Sequence, residues 1–391
     1  PAPVAEPALA TFATFCALAR RFAPAAWPEW PAELRDPASP AVRRFAAENA
    51  REVGFHVFLQ RLCREQLGAA AEAAAAMPMG LFRDLAVGAA PDGAEAWSSQ
   101  GLLAKGVSIG APPDPLGPEG QVWNLPPFDP HALASCGYDP FVELIETNMA
   151  HAGALRIDHA MGLARLFWVP EGGSGRDGSY VSYPLADLLG ETALASVRAR
   201  CAVVAEALGT VPEGFNEELA RADMLAYRVA LLERDGPAFR SPAAYPALSV
   251  ACLANHDLPT FAGWWQGADI AERAALGLER DPRRANDTRE ADKRALLDGL
   301  GVEAPAERPL ANLADEVHAS LAAAPSAVVL VQAEDLALEP RAVNMPGTDR
   351  ERPNWRRRLA PSVAELFAGP GGATLARVAA ARASVAPSIG Q

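Results

Sequence analysis

Two hydrophobic rhythms divide the chain. From residue 1 to about 78, apolar positions recur at helical spacing in Ala-rich stretches, with Phe55, Phe58, Leu59 and Leu62 on one face. Pro24, Pro28 and Pro31 interrupt this rhythm, which predicts two helical pieces joined by an irregular link. The run AAAEAAAAM (69–77) expresses helix propensity and is not a functional tract. After residue 78, short apolar runs alternate with longer helical segments. Six runs read as strands: MGLFRDLAVG (79–88), GALRIDHAMG (153–162), CAVVAEALG (201–209), MLAYRVALLE (224–233), LSVACLANHDLPT (248–260) and SAVVLVQAEDL (326–336).

Continuous apolar strands separated by helices predict an α/β fold with a parallel sheet covered on both faces. Polar residues gather where several strands end, which is where a (β/α)8 TIM barrel carries its chemistry. An open doubly wound sheet is the alternative, but no GxGxxG or GxxxxGK[ST] opens a helix here to cradle a phosphate. Eight strands make a barrel, so the six suggest a barrel lacking its first two βα units, the gap falling before residue 1. The expected organisation is a helical subdomain over 1–78, inserted in or flanking the barrel, and a barrel portion with helical insertions over 79–391.

Composition narrows the partners. Half of the 391 residues are hydrophobic, enough for one large core or two ordinary ones. The net charge is −13, with Lys and Arg scattered apart from Arg356-Arg357-Arg358, which argues against nucleic acid and is compatible with a neutral ligand. No charged-then-apolar leader is evident, and no run of about 18 apolar residues suggests a membrane span. Cys16, Cys63, Cys136, Cys201 and Cys252 are far apart and never form CxxC. Reduced, buried thiols in a cytoplasmic protein are expected, with no disulfide framework. The six His residues are dispersed without HExxH, so no metal is expected.

Three acidic residues each follow an apolar run: Asp158 in RIDH, Glu206 in VVAEALG and Asp257 in NHDLPT. Each interval is about one βα unit plus a loop, so the three should project from one rim. Cleaving a glycosidic bond needs one carboxylate to attack or stabilise the anomeric carbon and one carboxylic acid to protonate the leaving oxygen. Arg156, two residues before Asp158 and so on the same strand face, would keep Asp158 ionised. Singly, an Asp or Glu at a strand end is more often a cap or surface charge, and only the ordered set carries the reading.

RIDHAMGL, VVAEALGTVP and NHDLPT resemble the three catalytic segments of the alpha-amylase superfamily. GLFRDLAVGAAPDGAEAW (80–97), GAPPDPLGPEGQVWNLPPFDP (110–130), VQAEDLALEPRAVNMPGT (331–348) and NWRRRL (354–359) are similar to the amylomaltases, the 4-alpha-glucanotransferases of that group. The resemblance spans roughly residues 40 to 370. It implies a retaining enzyme that disproportionates maltodextrins without cofactor or metal. Asp158 would be the nucleophile, Glu206 the general acid/base, and Asp257 a group binding ring hydroxyls, with Arg156 and His256 lining the same subsite. Asp84 would order the rim, and Asn344 would touch the donor sugar. Two positions depart from the family pattern: Ala207 stands where an Asp usually follows the acid/base Glu, and Pro115 where a Tyr is common.

The Gly- and Pro-rich segment 110–130 reads as an irregular loop holding Asp114, Gln121 and Trp123. An aromatic plate beside hydrogen-bonding groups suits a sugar, so Trp123 and Trp97 could supply plates and Asp114 edge contacts. Packing is the alternative for both Trp residues. Trp264-Trp265, after the NHD strand, are expected to pack in a helix. Carboxylates alone leave a glucan hydrolase and an inactive glucan-binding polypeptide open beside the transferase. The oligomeric state is not legible.

Overall fold

The computed structural model describes residues 6–113, 119–303, 308–348 and 350–385. The chain divides into two units, Pro1–Met224 and Leu225–Gln391.

The first unit opens with four helices, Pro7–Phe22, Ala32–Arg35, Pro40–Glu48 and Ala50–Ala73, where two pieces were expected, because the chain breaks again at Asp36 and Asn49 as well as in the proline-rich link. Pro7 and Pro40 occupy first turns, where the missing N–H costs nothing, and Ser39 caps its helix by accepting from the Val42 N–H. Leu18, Trp30, Leu34, Val42 and Trp97 form the core of this region. The helix Ala50–Ala73 carries the apolar face read from its spacing without burying it. It has no buried residue, and Phe55 and Phe58 are 45% and 57% exposed. Periodicity shows that a helix has an apolar stripe, but tertiary contact decides whether that stripe is covered.

Then come β1 (Phe82–Leu85), β2 (Val107–Ala111), β3 (Gln121–Leu125), β4 (Ala154–Ile157), β5 (Arg165–Pro170), β6 (Ser179–Ser182) and β7 (Ala202–Ala205). β1, β4 and β7 run parallel in that order, in a register that sets Asp84 opposite Arg156 and Ile157 opposite Ala205. Their inward residues, among them Leu85, Leu155, Ile157, Val203 and Ala205, join Ile145 and Met149 of helix Asp139–Met149 and Leu188 of helix Leu185–Ala199 in one core. A second sheet, antiparallel and ordered β3-β2-β5-β6, is built from the segments that follow the C-terminal ends of β1 and β4. The 110–130 segment is therefore not wholly loop: Gly110 and Ala111 end β2, and Gln121–Leu125 is a paired strand.

The second unit contains β8 (Leu225–Val229), the short hairpin of β9 (Arg234–Asp235) and β10 (Ala238–Phe239), β11 (Ser249–Cys252) and β12 (Val328–Leu330). β8, β11 and β12 are parallel neighbours in that order. Ala251, Phe261, Trp264, Leu296, Val317 and Leu321 form the core against helices Pro282–Leu300 and Leu310–Ala322, and Trp265 packs on it, as expected for that pair. All six parallel strands fall inside the runs read from sequence. Cysteine burial does not match in full: Cys201 and Cys252 are buried, Cys16 and Cys136 half-buried, and Cys63 is exposed. Among the described residues, no helix is long and apolar enough to cross a membrane.

Candidate active site

In the first unit, the register of β1, β4 and β7 does the placing. Asp158 immediately follows β4 and Glu206 immediately follows β7, and Ile157 and Ala205 are paired, so both acids leave the same end of neighbouring parallel strands. Backbone bonds hold that end together: the Asp158 N–H donates to the Leu85 carbonyl at 3.0 Å, and the Glu206 N–H to the Ile157 carbonyl at 3.1 Å. Parallel strands lie about 4.8 Å apart, which brings the two acids within reach of one sugar ring.

Arg156 organises the charges. Its side chain is only 6% exposed; Nη1 donates to both Asp84 oxygens at 2.8 and 2.9 Å, and Nη2 lies 2.9 Å from Asp158 Oδ1. Burial alone would lower its pKa. The charges of Asp158 and Asp84, the Asp84 hydrogen bond and the Glu206 charge outweigh burial and hold the guanidinium well above its ordinary value. A permanent cation thus sits among three carboxylates and fixes the position of two of them.

Glu206 is buried, and its Oε2 accepts the His159 backbone N–H at 2.8 Å. His159 has φ 47°, a left-handed conformation that turns this N–H toward the acid. Burial pushes its imidazole down to about 4, so the ring is neutral at pH 7. Trp123, on β3, packs edge-on against that ring at 5.2 Å, and its Nε1 donates to Gln121 Oε1 at 2.9 Å. His159 was not singled out from sequence; its place beside Asp158 in RIDH was a signal, but its backbone role depends on a dihedral that no motif reveals. Ala207, the departure after Glu206, packs against the apolar core. A cavity of about 350 Å³ adjoins this rim, with Asp84 and Asp158 at its polar edge and Leu85, Ile157, Phe128 and Tyr183 among its apolar walls.

Trp97 resolves as packing. It is fully buried on helix Ala94–Ser98, its ring 5.6 Å from Phe15 and 6.3 Å from Trp30, and its Nε1 donates to the Leu34 carbonyl. Asp114 and Pro115 lie outside the described residues.

In the second unit, Asp257, His256 and Asn344 come together. Asn344 Nδ2 donates to Asp257 Oδ1 at 2.8 Å, and His256 Nε2 lies 3.3 Å from Asp257 Oδ2. The Asp257 N–H donates to Asn255 Oδ1, a local turn that sets the direction of the side chain. Asn344 therefore holds Asp257, whereas its sequence motif suggested only a sugar contact. Beneath, Asp335 Oδ1 accepts the Phe261 N–H at 2.7 Å, and Thr260 donates to the Glu339 carbonyl, anchoring the helix that follows the Asp257 loop. Among the described residues, no group of three or more His, Cys, Asp or Glu could hold a metal ion.

The 4-alpha-glucanotransferase of Mycobacterium tuberculosis is 38% identical over 366 residues, 89% of this chain and 50% of that protein. That of Haemophilus influenzae is 34% identical over 355 residues, 87% of this chain and 51% of that protein. The chain thus spans about half the length of these curated relatives. The crystal structure of amylomaltase from Corynebacterium glutamicum matches with a TM-score of 0.82 and 32% identity, covering 96% of this chain and 54% of that one. An amylomaltase from Streptococcus agalactiae, solved with acarbose, shares the fold at a TM-score of 0.78 and 20% identity, covering 95% of this chain and 71% of that one. With its parallel strands and intervening helices, the chain has the TIM-barrel-like α/β fold of these enzymes. The profile of the family described as 4-alpha-glucanotransferase matches residues 4–364, and the chain belongs to that family.

Proposed function

We propose that the protein transfers alpha-1,4-glucan segments between maltodextrins by a retaining double displacement. The observation that carries this reading is the Arg156 fork: one buried guanidinium holds Asp158 by Nη2 and Asp84 by Nη1, with Glu206 at the same end of the adjacent strand. Asp158, oriented by the cation, attacks the anomeric carbon while Glu206 protonates the leaving glycosidic oxygen. The glycosyl–aspartate then yields to the 4-hydroxyl of an acceptor chain, whose proton Glu206 takes. Asp257, braced by Asn344 and His256, binds ring hydroxyls and tightens as the ring flattens toward an oxocarbenium ion. The neutral His159 ring and Trp123 border the same rim, and Asp114 would contribute edge contacts. The reading includes no cofactor or metal. It also takes residues 1–78 as a helical subdomain and residues 79–391 as a (β/α) barrel portion.

Water competes with the acceptor for the glycosyl–aspartate, so products decide between transfer and hydrolysis. Incubation with maltotriose should release glucose and a ladder of longer maltodextrins. Glucose and maltose alone would make the protein a hydrolase. Maltodextrin binding without turnover would make this chain a glucan-binding polypeptide. Asp158→Asn should abolish turnover and preserve binding, and equal loss of both would reduce Asp158 to a structural residue.

A further inference from the structure

We propose that Trp355 is a sugar-stacking platform beside Asp257, gripping a pyranose ring of the glucan next to the one whose hydroxyls Asp257 binds; this rests on the glucan reading above. Trp355 is 60% exposed, yet its backbone has φ 61°. A bulky residue in the left-handed region is strained, because Cβ crowds the following carbonyl, and Gly or Asn would fit there at lower cost. An indole kept in a strained backbone while giving most of its surface to water contributes little to packing. Such a combination points to a function for the ring itself.

The surrounding loop is built to hold that strain. The Trp355 N–H donates to the Val343 carbonyl at 3.0 Å. Asn354, the preceding residue, accepts from the Met345 N–H at 3.2 Å and from Arg352 Nη1 at 2.6 Å, and donates to both Thr348 oxygens, at 3.1 and 2.9 Å. Arg352 is buried, and reaches Glu272 Oε1 at 2.9 Å and the Ala342 carbonyl at 2.5 Å. Together these bonds fix one backbone path around Asn354, and that path presents the indole. An aromatic plate held this way loses little freedom when a ligand lands on it.

Position supplies the ligand class. The indole lies 5.2 Å from the His256 ring, at a tilt of 54°, and His256 in turn touches Asp257, which Asn344 braces. The exposed indole therefore adjoins an imidazole that itself touches a carboxylate held by an amide. A pyranose has an apolar C–H face and a hydroxyl edge, and this pairing of plate and polar groups matches it.

Isothermal titration with maltoheptaose tests the assignment on the intact protein, together with thermal melts of each variant. Trp355→Ala should bind about tenfold more weakly, and Trp355→Phe, which keeps a plate, within about threefold of the unaltered protein. Trp355→Gly should match the Ala variant in binding while its melting temperature stays level or rises, because glycine relieves the left-handed strain. Unchanged affinity in Trp355→Ala would overturn the platform and leave the glucan reading intact. Failure of the unaltered protein to bind maltoheptaose would overturn both. A loss of affinity accompanied by a lower melting temperature in both Ala and Gly variants would make Trp355 a structural residue and overturn the platform as well.

Discussion

Replacing Arg156 by Lys keeps the positive charge and removes the fork. The guanidinium reaches two acids in different directions, Asp84 through Nη1 at 2.8 and 2.9 Å and Asp158 through Nη2 at 2.9 Å. A single ammonium can satisfy one of them well. A hydrogen bond to a charged partner contributes about 1.5–3 kcal/mol in general. Asp84 and Asp158 are 43% and 33% exposed, so water competes and the lower end of that range applies. Loss of one arm should therefore cost about 1–2 kcal/mol of folding stability. Catalysis should suffer far more, because a reacting group displaced by about 1 Å can slow the reaction about 100-fold. Initial rates of maltotriose disproportionation, beside urea unfolding at the same pH, give both numbers. The reasoning fails if Arg156→Lys keeps its kcat within about threefold while stability falls as stated, since the fork would then have no part in aiming Asp158.

Three further outcomes follow from other parts of the structure. Asn344→Ala removes the 2.8 Å bond to Asp257 and should lower kcat/KM about tenfold, with the loss absent in an Asp257→Ala background; additive losses would show that the two residues act separately. Burial would lower the pKa of His318, but the bond and charge of Asp335, the Ala314 carbonyl bond and the Asp315 charge raise it above its ordinary value. The imidazolium thus stabilises the fold fully below the unfolded pKa of about 6.5, and this contribution disappears as pH rises through the folded value. The urea midpoint should fall over that range, and His318→Gln should flatten the profile; an unchanged slope in the variant would exclude the pair as its source. At Gly110, where β2 shifts register against β3, an added Cβ would stand 2.1 Å from the Gln121 carbonyl oxygen and 3.0 Å from Val169 Cγ2. Gly110→Ala should cost about 1–3 kcal/mol in urea unfolding, and a neutral result would mean that the two strands separate easily.

The sequence by itself determined the six parallel strands, because residues buried on both sides of a parallel sheet must be apolar without interruption, and such runs are visible without coordinates. It determined the acidic residues at strand ends for a related reason: a polar residue that closes an apolar run marks the point where the chain leaves the core. The antiparallel sheet was not legible. Its strands are short, and the stretch that joins β2 to β3 is rich in Gly and Pro, so 110–130 reads as loop although Gln121–Leu125 is paired. Pattern also could not say which apolar face is covered. Trp97 is sealed by residues far off in sequence, while Phe55 and Phe58 keep the helical spacing of a core and remain exposed. Tertiary structure alone decided the finer geometry around the candidate residues of each unit. Strand register brought Asp84 to Arg156, a left-handed dihedral turned the His159 N–H onto Glu206, and a loop closure set Asn344 against Asp257. Each of these depends on where two distant backbones meet, and that is a property of the packed chain, not of any local run of residues.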